Sequence, residues 1–126
     1  MTMPQYEKAA DAVHLIGGRW KVRILAHLLS EPGGLPMRFS VLHRALGTDR
    51  IRKGVLAVQL RELERDGLIA RTVSADAPRT VSADAPRTVS AGAPVLVVRV
   101  DYALTPRGRL LEPALAALAQ WASSAE

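Results

Sequence analysis

Apolar residues recur at helical spacing over the first half of the chain and alternate further on. Tyr6, Ala9, Ala10, Val13 and Ile16 share one helical face between about Pro4 and Ile16, and Gly17-Gly18 stops that helix. A second helix is expected from about Arg19 to Ser30, with Trp20, Ile24, Leu25 and Leu28 as its apolar face and Lys21 and Arg23 turned elsewhere. Glu31-Pro-Gly-Gly34 ends it. Leu35 to Phe39 reads as extended, because a residue before proline avoids helical backbone. Ser40 is then the expected cap of a third helix, Val41 to Leu46, with Phe39, Leu42 and Leu46 facing inward. After a turn at Gly47-Thr48-Asp49, a fourth helix runs from about Ile51 to Asp66. Leu56, Leu60 and Leu63 form its inner stripe and Gly67 its C-cap. Two helices joined by a tight turn, the second long and basic at its start, make a helix-turn-helix pair.

Beyond Gly67 the period changes to two. Leu68–Val73 and Leu96–Leu104 read as strands. Thr105-Pro106 starts a last helix, with threonine as N-cap and proline in the first turn; Pro113 kinks it or marks its true start. This helix carries two apolar sets, one of Leu111, Leu115 and Leu118 and one of Leu110, Ala114, Ala117 and Trp121. That is more apolar face than one small core requires, and an exposed stripe of this kind points to a partner chain. Between the strands, Thr72 to Arg79 recurs identically as Thr80 to Arg87 and imperfectly as Thr88 to Val95. Units of eight residues are too short for a solenoid, whose repeats span about 20 residues or more. The array reads as a hairpin tip lengthened by duplication or, preferably, as a surface loop that tolerates insertion, since lengthening a loop costs little free energy.

The expected organisation is one domain over 1–126. Its parts are an N-terminal helix (1–18), a helix-turn-helix core (19–71), the repeat in a wing (72–95), a wing strand (96–104) and a C-terminal helix (105–126). One domain is also what 126 residues with 48% hydrophobic content allow. The chain has no cysteine, which excludes disulfides, thiolate metal cages and thiol switches within it. No apolar run approaches the roughly 18 residues of a membrane span. The first eleven residues do not read as a secretory signal, so a cytoplasmic location is expected. Net charge is +5, and its placement is uneven. Arg38, Arg44, Arg50, Arg52 and Lys53 face one acid, Asp49, between positions 38 and 53, whereas Glu62, Glu64 and Asp66 crowd the end of the fourth helix. Such a local field suits nucleic acid, or else simply solubilises a surface.

Catalytic signatures are missing: there is no phosphate-cradling glycine loop, nucleophile elbow or zinc-protease motif, and no enzyme activity or cofactor is expected. His14, His27 and His43 fall on three helices without companions at ligand spacing, so no metal site is expected. A helix-turn-helix followed by a two-stranded wing does carry a mechanism. A helix about 10–12 Å across enters the major groove of duplex DNA with its first turn against the base edges. Arg50, Arg52 and Lys53 lie where that turn begins and can reach phosphates or guanine. Gln59 reads adenine or faces solvent, while Arg79 and Arg87 reach a neighbouring minor groove or are solvated passengers of the repeat.

Four fragments in order then resemble a known family. They are His14-Leu-Ile-Gly-Gly-Arg-Trp-Lys21, Met37-Arg-Phe-Ser40 with Leu42, Leu60-Arg-Glu-Leu-Glu-Arg-Asp-Gly-Leu68, and Val100-Asp-Tyr-Ala-Leu-Thr-Pro-Arg-Gly108 followed by Leu111-Glu-Pro113. They resemble the HxlR-type winged-helix transcriptional regulators over about Ala9 to Trp121, the repeat excepted. The resemblance implies an α+β, mainly helical fold: a winged helix-turn-helix with N- and C-terminal dimerisation helices and an extended wing. It implies a homodimer on a palindromic operator in double-stranded DNA. Lys21, Arg38 and Ser40 would then hold phosphates, Arg52, Lys53 and Gln59 would face the major groove, and Val13, Leu111, Leu115, Leu118 and Trp121 would form the dimer interface. A small effector, if any, would sit near His14, Trp20 and Trp121. Many members carry a redox-sensing cysteine in the first helix, which this chain lacks. The family's usual Ser-Gln-Lys and Thr-Gln-Arg on the fourth helix are replaced by Arg52-Lys53-Gly54 and Ala57-Val58-Gln59, and the wing is longer by most of the repeat. Those departures motivate an alternative, a winged-helix dimer serving mainly as a ligand- or protein-interaction module.

Overall fold

The structure, a computed structural model, describes residues 1–75, 79–80, 94–95 and 98–124. Helix α1 (Met3–Ile16) opens with a capping box: the Gln5 amide donates to Thr2 Oγ1 at 3.4 Å and the Thr2 amide to Gln5 Oε1 at 2.7 Å. Only Ile16, and in part Leu15, at its last turn reach the core. Helix α2 (Lys21–Leu29) buries Ile24, Leu25 and Leu28. A short 3-10 turn at Pro32–Gly34 leads to strand β1 (Met37–Arg38).

Helix α3 (Phe39–Leu46) starts two residues earlier than its sequence suggests. Arg38 occupies the N-cap position and no side chain caps the helix, so Ser40 is an exposed residue of the first turn rather than the cap. The cause is β1: pairing of Met37 with Tyr102 and Arg38 with Asp101 fixes where extended backbone ends. Helix α4 (Lys53–Arg65) starts two residues later than expected, because Ile51 turns inward and is buried in the preceding turn. Its C-terminus is a Schellman motif in which the Leu68 amide donates to the Leu63 carbonyl and the Gly67 amide to the Glu64 carbonyl, both at 3.0 Å. Gly67 has φ +78°, a conformation that glycine adopts without strain.

Strand β2 (Ile69–Ala75) pairs antiparallel with β5 (Val98–Leu104), and β1 flanks β5 on its other side. A second short ladder joins β3 (Arg79–Thr80) to β4 (Pro94–Val95). Ala75 faces Val98 and Arg79 faces Val95, so the two ladders differ in register by one residue. Of the repeat, Thr72–Ala75 lie in β2 and residues 81–93 lie outside the described residues. Leu42, Leu56, Leu60, Leu63, Leu68 and Ile69 join the α2 face in one core between the three helices and the sheet.

The C-terminal segment is two helices. Thr105 caps α5 (Pro106–Arg109), accepting from the Gly108 amide at 3.0 Å while donating to the Gly67 carbonyl at 2.6 Å. Helix α6 (Glu112–Ser123) begins just before Pro113, which therefore marks a true start. Leu111 and Leu115 pack against the core, whereas Leu110, Leu118 and Trp121 are exposed. No helix among the described residues is long and apolar enough to cross a membrane.

Candidate nucleic-acid interface

The tip of α4 is built by the turn before it. Gly47, at φ +103°, lets the chain leave α3, and the stem of Arg50 lies over it where a Cβ would meet Arg50 Cδ at 2.9 Å. Buried His43 donates from Nε2 to the Ile51 carbonyl at 2.7 Å, which fixes the residue just ahead of the helix. Arg52 is the N-cap with no side-chain capping bond, and no acidic residue occupies the first turn. The first amides of α4 are thus open to an outside acceptor, and the helix dipole favours an anion there. Arg50, Arg52 and Lys53 are all exposed around this tip, and among the described residues no ion pair occupies them. The structure brings these three together.

The other expected contacts are placed differently. Lys21 is half-buried, its side chain 13% exposed, and its ammonium bonds Glu62 at 2.7 Å. Its charge is committed inside the molecule, which withdraws it from the phosphate-holding set. That hydrogen bond and the adjacent charge hold the Glu62 carboxyl below the usual carboxylate range. Gln59 is half-buried. At 3.6 residues per turn, the side of α4 opposite Leu56, Leu60 and Leu63 carries Gly54, Val58, Arg61 and Arg65 instead. Arg61 is therefore an outward residue that the sequence reading passed over, although helical geometry alone would have found it. Arg38 is exposed at the end of β1, opposite Asp101 in the ladder, and Ser40 is exposed beside it. Arg79 pairs through its backbone in β3, but its side chain, like the whole of Arg87, lies outside the described residues.

Away from this face, the apolar surface is large. Tyr6 and Val13 on α1, Leu110, and Leu118 and Trp121 on α6 are exposed, Val13 to 59% and Trp121 to 74%. A groove of about 360 Å³ runs between α1 and the α5–α6 corner, lined by Ala12, Leu15, Ile16 and Leu111 with Lys8 and Arg107 at its polar edge. Trp20 is buried under the guanidiniums of Arg19 and Arg23, 5.0 and 6.0 Å from its ring centroid. No cluster of potential metal ligands occurs among the described residues.

The HxlR-like helix-turn-helix family model matches residues 15–91 and 86–126. The chain belongs to this family. It is 35% identical over 107 residues to the uncharacterized HTH-type transcriptional regulator YdzF of Bacillus subtilis, covering 85% of this chain and 76% of that protein. Among solved structures it resembles the HTH-type transcriptional regulator ytcD, with TM-score 0.64 and 32% identity over 92% of this chain and 93% of that one. It also resembles the redox regulator HypR in its reduced form, with TM-score 0.65 and 27% identity over 93% and 91%. The winged-helix architecture expected from the sequence is the one these relatives share. This HxlR-like chain is a DNA-binding transcriptional regulator by family.

Proposed function

We propose that the protein acts in the cytoplasm as a homodimer on a palindromic operator, with one α4 tip in each of two successive major grooves. The observation that carries this reading is the tip itself: three exposed cations around an uncapped helix start, with no carboxylate in the first turn. Arg50, Arg52 and Lys53 would take phosphates or guanine edges. Arg38 and Ser40 would flank them on the backbone, and Arg79 and Arg87 would reach from the wing. Dimerisation is supported by α1, a 14-residue helix anchored at its last turn alone. A helix of this length is marginal in water unless an apolar face is covered. Val13, Leu118 and Trp121, with the outer parts of Leu111 and Leu115, would cover it in a second copy. Sensing through a thiol would need a cysteine, and this chain has none.

Gly54, Ala57 and Val58 offer no hydrogen-bond donors on a reading helix, which favours a second reading: an interaction module with weak DNA binding. The double variant Arg52→Ala/Lys53→Ala separates the two in a gel shift with the DNA upstream of the gene. Loss of binding supports the regulator, and unchanged affinity supports the module. With six to ten phosphates neutralised, affinity should fall about 10³–10⁵-fold between 50 and 200 mM salt.

A further inference from the structure

A cleft of about 360 Å³ separates α4 from the wing, and its lining is Ala57, Arg61 and Glu64 from the helix and Arg71 and Tyr102 from the sheet. Arg61 and Arg71 are exposed, and among the described residues neither has an ion-pair or hydrogen-bond partner. Tyr102 is buried as a residue, yet among the described residues no buried side-chain polar atom lacks a partner and none is a hydrogen-bond partner of its hydroxyl. The hydroxyl is therefore not sealed from solvent, and Tyr102 is part of the cleft lining. Two guanidiniums and a phenol from three separate elements, α4, β2 and β5, thus line one small space with their donors unused among the described residues. Guanidinium forks match the oxygens of a phosphoryl group, and a phenol adds a third donor. Two arginines against Glu64 leave the lining at about +1, the complement of a phosphodiester rather than of a dianion.

We infer that this cleft clasps one backbone phosphodiester of the duplex, between the groove entered by α4 and the one beside the wing. The clasp rests on the reading of α4 as a DNA-facing helix, and it assigns binding roles to Arg61, Arg71 and Tyr102. The test uses the full chain carrying Arg61→Gln, Arg71→Gln or Glu64→Gln, each exposed and each checked by circular dichroism. Binding to the gene's upstream duplex and to a scrambled duplex is titrated across salt. Either arginine change should weaken both duplexes roughly tenfold. Each should also lower the slope of log K against log salt by about one. Glu64→Gln should act in the opposite direction, strengthening both.

Unchanged affinity and slope in the two arginine variants would overturn the clasp, as would a loss confined to the specific duplex, which would mean base reading. A wild-type chain that binds no duplex refutes the DNA reading instead. The clasp is then decided by the guanidinium Nε–H signals of Arg61 and Arg71 titrated with dimethyl phosphate and with inorganic phosphate. A saturable shift of both with the diester supports it. A response to inorganic phosphate alone shows a free-anion site and overturns the diester assignment, and no response overturns the site altogether.

Discussion

Replacing His43 by alanine removes a buried side-chain hydrogen bond that ties α3 to the turn in front of α4. The ring is 6% exposed, donates to the Ile51 carbonyl at 2.7 Å, and lies 6.1 Å from the Phe39 ring centroid. Loss of the donor leaves a buried carbonyl unpaired, at a cost of about 1–3 kcal/mol. Loss of the ring leaves a cavity against Phe39, for about 1–2 kcal/mol more. The expected destabilisation is about 3 kcal/mol, a large share of the roughly 5–15 kcal/mol that holds a typical domain. It should appear in urea unfolding as a lower midpoint at unchanged slope. His43→Gln retains an N–H of similar reach and should recover about half of the loss. Because Ile51 immediately precedes the cationic tip, the glutamine variant should also bind DNA better than the alanine variant at a temperature where both are folded. A cost below about 1 kcal/mol for His43→Ala, or a glutamine variant no better than alanine, would refute the claim that this bond positions the tip.

Three further outcomes follow from the packing and the charges. Gly108→Ala should destabilise by about 1–3 kcal/mol, because a Cβ there would run into the Leu68 carbonyl oxygen and the Leu104 side chain; a thermal midpoint equal to the wild type would contradict that close approach. Trp121→Ala, which removes a ring 74% exposed in the single chain, should weaken self-association about ten- to a hundredfold in sedimentation equilibrium, and an unchanged constant would remove Trp121 from the interface. Glu62, whose folded pKa is lowered by Lys21, contributes stability that is present above its unfolded value and lost as pH falls through the lowered one; Glu62→Gln should flatten that acid limb, and a variant with the wild-type profile would show that the pair contributes nothing.

Helix existence and the inner stripes were legible because Leu56, Leu60 and Leu63 recur at one period and Gly67 ends it. Boundaries set by distant partners were not. Ser40 has the side chain of a cap, but β5, about sixty residues on, decides that β1 ends at Arg38 and makes Phe39 the first helical residue. Ile51 fits a helical pattern as well as a turn, and only the His43 bond shows which it is. The same reasoning holds at the interface. The cluster Arg50, Arg52 and Lys53 is contiguous in sequence and so was visible there. Lys21 looked available because Glu62 is remote in sequence, and Arg71 was overlooked because its companions Arg61 and Tyr102 come from α4 and β5. Gln59 drew attention by residue type, whereas helical phase gives the outward place on that turn to Val58 and Arg61.

The central claim is that two α4 tips meet one duplex, one helical turn apart. Hydroxyl-radical footprinting of the full-length protein on the DNA flanking its gene measures this directly. The account predicts two protected patches of matching shape on one face of the duplex, about 34–36 Å apart, that appear together as protein concentration rises and vanish together as salt rises. A single isolated patch, or protection indifferent to salt, would contradict it.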